Sequence, residues 1–164
     1  MLFYFSYGSN MSVKRLTHRV PSARVHAVGN LTHHQLHFHK SSRDGSAKCN
    51  VALSDDPRDC VIGVVFTIKA SEKIILDRIE GLGCGYKVKT VSVALMTGEV
   101  VDAFIYIADD IDERLLPYHW YKEHVLTGAK ENELPDHYVE QIEAVVSIDD
   151  PDQARHDLEL AIYV

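Results

Sequence analysis

A chain of 164 residues with 46% hydrophobic and 25% charged side chains has the size and balance of one ordinary soluble domain, expected to span 1–164. Its formal net charge of -7 sets the field against nucleic acid, and no stretch approaches the roughly 20 apolar residues of a membrane span. Cys49, Cys60 and Cys84, an odd number without CxxC spacing, argue against a disulfide framework and for a reducing, cytoplasmic compartment. The apolar N-terminus lacks a basic flank and breaks at Gly8, unlike a signal peptide.

In chain order, Leu2 to Tyr7 reads as a buried strand that stops at Gly8-Ser9-Asn10. Ser12 can cap a short helix through Arg19, halted by Pro21. Residues 23–40 are strand-like, and Leu36 and Phe38 alternate with His37 and His39 as on a half-exposed strand. Residues 41–48 and 55–59 have turn chemistry, which separates a strand around 50–54 from a central, very apolar one at 60–68. Ser71 can cap a helix with Ile75, Leu76 and Ile79 inward and Gly81 at its end. Residues 86–96 and 100–108 make a hairpin about Thr97-Gly98. From Pro117 onward the pattern is helical: one segment ends at Gly128 and another starts at Asp136. The tail after Asp150 fits helix or strand. Many strands with helices inserted late imply an α+β domain built on a curved sheet or small barrel.

Several side-chain patterns bear on chemistry. His33, His34, His37 and His39 crowd one segment, and His37 with His39 share a strand face that could ligate a metal. No acid or cysteine sits at close spacing, so a histidine-rich exposed face is the simpler reading, and neither metal nor cofactor is expected. The glycines at 81, 83 and 85 miss the dinucleotide spacing and stand between a helix and a strand, the reverse of that motif's order. Ser9 is not in a nucleophile elbow. Cys84 is either a reactive thiol or a small hydrophobe. Glu80 places an acid at a helix C-terminus, where the dipole costs about 0.3–1 kcal/mol. It is either a solvated helix end or a general acid/base.

FYFSYGSNM (3–11), LDRIEG (76–81) and YKEHVLTGAKENELPDHY (121–138) together resemble the gamma-glutamylcyclotransferase-like family, with similarity over residues 2 to 142. The resemblance implies a small mixed β-barrel with helices packed outside. It also implies an intramolecular reaction, in which the α-amine of a γ-glutamyl compound attacks its own γ-carbonyl and releases 5-oxoproline and an amine or amino acid. Such chemistry needs an acid/base, donors for the oxyanion and a pocket that holds the glutamyl chain folded. It needs no metal and no enzyme nucleophile. The resemblance puts Glu80 in the acid/base role. It wraps the backbone of Tyr4, Phe5, Ser6, Tyr7, Gly8 and Ser9 around the glutamyl moiety, with Tyr121 at the pocket edge. Gly8 allows close approach to a ligand, Asn10 braces the loop through bonds to backbone, and Tyr86 either orients Glu80 or packs in the core. The expected partner is a small γ-glutamyl substrate, with no nucleic acid and no membrane, for a monomer or homodimer. Two other functions stay open: a non-catalytic metabolite-binding module on this fold, and a thiol enzyme built on Cys84.

Overall fold

Closure of the barrel depends on one parallel contact. In the computed structural model, which describes residues 1–164, β1 (Leu2–Ser6), β2 (Arg24–Thr32), β5 (Cys60–Ile68), β6 (Tyr86–Leu95) and β7 (Val100–Ala108) close in the order β1-β5-β2-β6-β7. The ladders are antiparallel except where β1 meets β7 in parallel, with Tyr4 opposite Phe104, so the barrel is mixed. β5 is buried almost throughout because β1 and β2 flank it on both edges. The remaining strands, β3 (His34–Ser41) and β4 (Ala47–Leu53), pair as a separate ribbon. Asn50 fastens that ribbon to the barrel by accepting the Ala108 N–H at 2.8 Å.

Five helices pack outside: α1 (Val13–Arg19), α2 (Lys73–Glu80), α3 (His119–Glu131), α4 (Asp136–Glu143) and α5 (Gln153–Leu160). This is the mixed barrel with outer helices that the sequence implies. No helix is long and apolar enough to cross a membrane.

Local departures from the sequence reading have definite causes. The strand expected over 23–40 is two strands in different sheets, because His33 adopts φ 58°, a left-handed turn that redirects the chain. Ser71 does not cap α2; it lies in a 3-10 turn, Ala70–Glu72, that leads into the helix. α3 does not end at Gly128 but continues to Glu131. A Cβ on Gly128 would lie 2.4 Å from Met11 C and Ser12 N, so this glycine serves close helix-to-loop contact. The tail is helical, and Asp152 caps α5 by accepting the Arg155 N–H at 3.0 Å.

α2 departs most. Of the three residues expected inward, only Leu76 is buried, while Ile75 and Ile79 are 40% and 42% exposed. The face turned to the barrel carries Lys73, Leu76, Asp77 and Glu80, a helical i, i+3, i+4, i+7 set. Lys73 lies 4.9 Å over the Phe104 ring, and Asp77 accepts the Tyr106 hydroxyl at 2.6 Å. Gly81, at φ 70°, ends the helix as a left-handed cap.

The C-terminal segment is tied to α1 and α3 by a partly buried polar chain. His124 Nε2 lies 2.9 Å from both Arg15 Nη1 and Glu159 Oε2, and Arg15 pairs with Glu159 at 2.5 Å. Tyr163 lies 2.7 Å from His124 Nδ1 and donates to Ser12 Oγ at 2.9 Å, the same oxygen that caps α1. Desolvation alone would raise the Glu159 carboxyl, but the contact with His124 and the charge of Arg15 outweigh it and hold it at about 2. Burial pushes the His124 imidazole below its ordinary 6.5.

Two outcomes are expected. Gly128→Ala should destabilise the fold by roughly 1–3 kcal/mol through overpacking, despite alanine's better helix propensity, seen as a lower urea midpoint. Acid should also weaken the fold. Glu159 has a folded value below its ordinary 4.5, so its contribution is complete above 4.5 and fades as pH falls toward 2. His124, also depressed, adds a loss of the same sign below 6.5. The stability gap between wild type and Glu159→Gln should therefore be largest near neutrality and close toward pH 2; a pH-independent gap would contradict this.

Candidate active site

β1 ends at Ser6, and the chain turns through Tyr7 and Gly8 into a short 3-10 segment, Ser9–Met11. Gly8 has φ -119°, outside the left-handed region, so no positive φ requires glycine there. Space does: a Cβ would lie 3.0 Å from Cys49 Cβ and 3.3 Å from the Tyr121 hydroxyl. Gly8 thus admits β4 and α3 to the loop. The Tyr7 and Gly8 N–H groups donate to no backbone acceptor.

Beside this turn lies a pocket of about 280 Å³, its mouth included. Tyr4, Ser6, Tyr7, Gly8, Ser9, Glu80 and Tyr121 all line it, and so do Asn10, Cys49, Tyr86 and Tyr106. Residues separated by more than a hundred positions converge here because the β1–β7 contact, the end of α2 and the start of α3 meet at one end of the barrel. Phe5 is the exception among the expected residues. It is fully buried and absent from the pocket wall, since alternation along β1 turns its ring to the opposite side from Tyr4 and Ser6, toward Gly63.

The Glu80 side chain is only 17% exposed, and its two oxygens are treated unequally. Oε1 accepts from Asn10 Nδ2 at 2.8 Å and from Arg19 Nη1 at 3.4 Å, whereas Oε2 carries no hydrogen bond from the protein. A partly buried carboxylate needs donors in place of water. Asn10 and Arg19 are those donors. Asn10 therefore braces side chains: besides donating to Glu80, it donates to the Tyr4 hydroxyl at 3.2 Å and accepts from Arg19 at 2.9 Å. Neither the Asn10–Glu80 contact nor Arg19 is readable from sequence. Their only signal is that Arg15 and Arg19 share one face of α1.

Four tyrosine hydroxyls in the wall are committed to positioning. Tyr121 accepts the Cys49 N–H at 2.9 Å, and Tyr86 donates to the Cys49 carbonyl at 2.7 Å, so both backbone polar groups of this residue are held. Tyr86 accordingly does not hydrogen-bond Glu80. Tyr7 donates to the Tyr106 carbonyl, and Tyr106 donates to Asp77. Burial raises all four phenols, which keeps them neutral. Ser6 Oγ, by contrast, is buried without a partner, an atom a bound ligand would satisfy.

Cys49 is the one cysteine in the wall. Burial pushes its thiol up to about 12, so it stays protonated and inert. Cys84 is exposed and lies outside this wall. Of the histidine cluster, His37 and His39 stack at 4.6 Å and His39 Nε2 meets Asn50 at 3.0 Å, while the His34 ring lies 2.8 Å from the Thr32 carbonyl. No group of three or more His, Cys, Asp or Glu is arranged to hold a metal.

The fold and the chain are those of a known class. Residues 60–142 match the AIG2-like family. Human gamma-glutamylcyclotransferase is 34% identical over 146 residues, covering 87% of this chain and 77% of that protein. The mouse protein of that name is 32% identical over the same coverage. A solved structure titled gamma-glutamyl cyclotransferase superposes with a TM-score of 0.87 at 31% identity, covering 99% of this chain and 98% of its own. The chain belongs to the gamma-glutamylcyclotransferase family.

Tyr121→Phe tests the grip on Cys49. It leaves a buried N–H without its acceptor, which costs about 1–3 kcal/mol. The expected result is a matching fall in urea midpoint; an unchanged midpoint would mean that this hydroxyl is dispensable to the fold.

Proposed function

We propose that this protein cyclises a γ-glutamyl amino acid or γ-glutamyl amine to 5-oxoproline, with Glu80 as the acid/base. The observation that carries the reading is the unpaired Oε2 of Glu80, held in a pocket whose wall also offers the free N–H groups of Tyr7 and Gly8 and the unpartnered Ser6 Oγ.

In this reading the glutamyl half lies folded against Tyr4 to Ser9. Glu80 Oε2 takes a proton from the α-ammonium, and the freed amine attacks the γ-carbonyl carbon. The N–H groups of Tyr7 and Gly8 meet the developing oxyanion. Glu80 then passes its proton to the leaving nitrogen as that carbon–nitrogen bond breaks, and the extra proton left on the ring nitrogen follows by way of the same carboxylate, so that a neutral lactam and an ammonium depart. The nucleophile and electrophile share one molecule, so positioning supplies much of the rate. Asn10 and Arg19 hold Oε1, which leaves Oε2 to shuttle the proton. Tyr121 and Tyr86 fix the Cys49 strand that forms the far wall. The wall is drawn from one chain, so a monomer or a homodimer satisfies the reading. A reducing compartment such as the cytoplasm suits three unpaired cysteines.

The test is incubation with γ-glutamyl-alanine and detection of 5-oxoproline by mass. Glu80→Gln keeps the shape and an acceptor for Asn10 but cannot take a proton. Turnover should fall about 100- to 10,000-fold or more, with the folded spectrum intact and substrate still bound. Wild-type turnover by Glu80→Gln would remove Glu80 from the mechanism. Thermal stabilisation of the wild type by 5-oxoproline without turnover of any γ-glutamyl compound would make the protein a binding module instead.

A further inference from the structure

Tyr138, Gln141, Ile142 and Val145 fall at i, i+3, i+4 and i+7, the first three on one face of α4 and the last just beyond its end. Together with residues of β3 and the start of β5 they wall a second recess, of about 690 Å³ with its mouth included. That is the size of a small-molecule site and more than twice the tyrosine pocket. We infer that this recess binds apolar α,β-unsaturated carbonyl compounds, and that Cys60, in its wall, is the residue they modify.

The wall sorts ligands by polarity. Leu36, Phe38, Ile142 and Val145 supply apolar surface. The one formal charge is Asp59, and its carboxylate is already met by the Ser54 hydroxyl and by Gln35 Nε2 at 2.7 Å. No lysine or arginine lines the recess, so nothing there favours an anion. An uncharged ligand with a hydrocarbon tail suits such a wall.

Two side chains address the head of that ligand. Tyr138 is only 5% exposed, yet its hydroxyl has no hydrogen-bond partner; the Ile62 backbone is near it but outside bonding geometry. A buried donor left unpaired is satisfied by an acceptor that enters, such as a carbonyl oxygen. Cys60 opens β5 opposite Thr32, half-buried, and close enough to Tyr138 for its charged form to act on the phenol. A thiol beside an apolar wall is a soft, polarisable nucleophile, matched to a soft electrophile. His34 belongs to the same wall. Its Nδ1 meets the Thr32 carbonyl at 2.8 Å and so carries the hydrogen, which makes Nε2 the basic nitrogen.

The covalent step balances without a further reactant. The Cys60 thiol loses its proton, and its sulfur bonds to the β-carbon as the carbon–carbon π bond opens. The electron pair passes to the carbonyl oxygen, where the Tyr138 hydroxyl meets the enolate. The proton then returns to the α-carbon, with His34 Nε2 to carry it. A thioether and a saturated carbonyl compound remain.

Cys84 is the internal comparison. It is more exposed than Cys60, but it stands among Lys40, Arg43 and Arg78, a cationic setting that favours anionic reagents. Oct-1-en-3-one, methyl vinyl ketone and iodoacetate, each added below one equivalent, should therefore sort the two thiols, with sites read by peptide mass spectrometry. Octenone is expected on Cys60 ahead of Cys84, and iodoacetate on Cys84 ahead of Cys60. Shortening the tail to methyl vinyl ketone should lower the Cys60-to-Cys84 ratio about tenfold or more. Tyr138→Phe should slow enone addition at Cys60 about tenfold while leaving its alkylation by iodoacetamide unchanged. Should that variant fail to fold, the dependence on tail length in the wild type still decides. Cys84 modified first by all three reagents, or a ratio indifferent to the tail, overturns the site. Equal enone rates in Tyr138→Phe and wild type overturn the role of the hydroxyl. None of these readouts involves 5-oxoproline, so the site stands or falls apart from the cyclisation reading.

Discussion

The hydrogen bond from Asn10 to Glu80 joins the turn after the first strand to the end of α2, and the site is organised around it. A carboxylate mostly withdrawn from water has to be met by donors or it becomes a liability. Here one oxygen takes Asn10 and Arg19, while the other is left bare toward the pocket. That asymmetry fixes the orientation of the carboxylate. It also gives the helix end a reason to carry an acid against its own dipole, because the local cost of about 0.3–1 kcal/mol is set against two donors, one of them charged.

The tyrosines complete the arrangement by acting on backbone. Tyr121 and Tyr86 hold the backbone N–H and carbonyl of Cys49, and Tyr7 reaches the carbonyl of Tyr106 in β7. Each of these three hydroxyls already makes a hydrogen bond to backbone, and the rings form much of the wall. Among the polar atoms left free are the Tyr7 and Gly8 amides, Ser6 Oγ and Glu80 Oε2. A pocket of this kind is rigid and sparing in its polar contacts, which suits a reaction whose two partners are already one molecule.

Much of this was legible in the chain, for reasons that differ by element. The β6–β7 hairpin was plain because Thr97-Gly98 punctuates two extended runs, and β5 was plain because a strand flanked on both edges is apolar at nearly every position. Glu80 stood out because its position opposes the helix dipole. α2 was misread for an instructive reason. Its inward face is built of Lys73, Asp77 and Glu80 around Leu76, so the isoleucines fall outside and the usual apolar stripe is inverted. A helix that delivers site residues need not turn its hydrophobic side to the core. Gly128 misled similarly: glycine signals a helix end when φ is positive, but here it admits the Met11–Ser12 backbone. Arg19, Cys49 and Tyr106 could not be found from sequence at all, since their place in the site depends on long-range contacts between strands and helices distant in the chain. Phe5 was named only for its backbone, and the strand turns its side chain away from the pocket.

The most direct measurement is a crystal structure with 5-oxoproline bound. The account predicts that the product lies in the tyrosine pocket, with one of its oxygens about 3 Å from the Tyr7 or Gly8 nitrogen and the ring nitrogen facing Glu80 Oε2. Asn10 and Arg19 should still hold Oε1. Product seated elsewhere on the barrel, or in the pocket with Glu80 turned away from its ring nitrogen, would contradict the account.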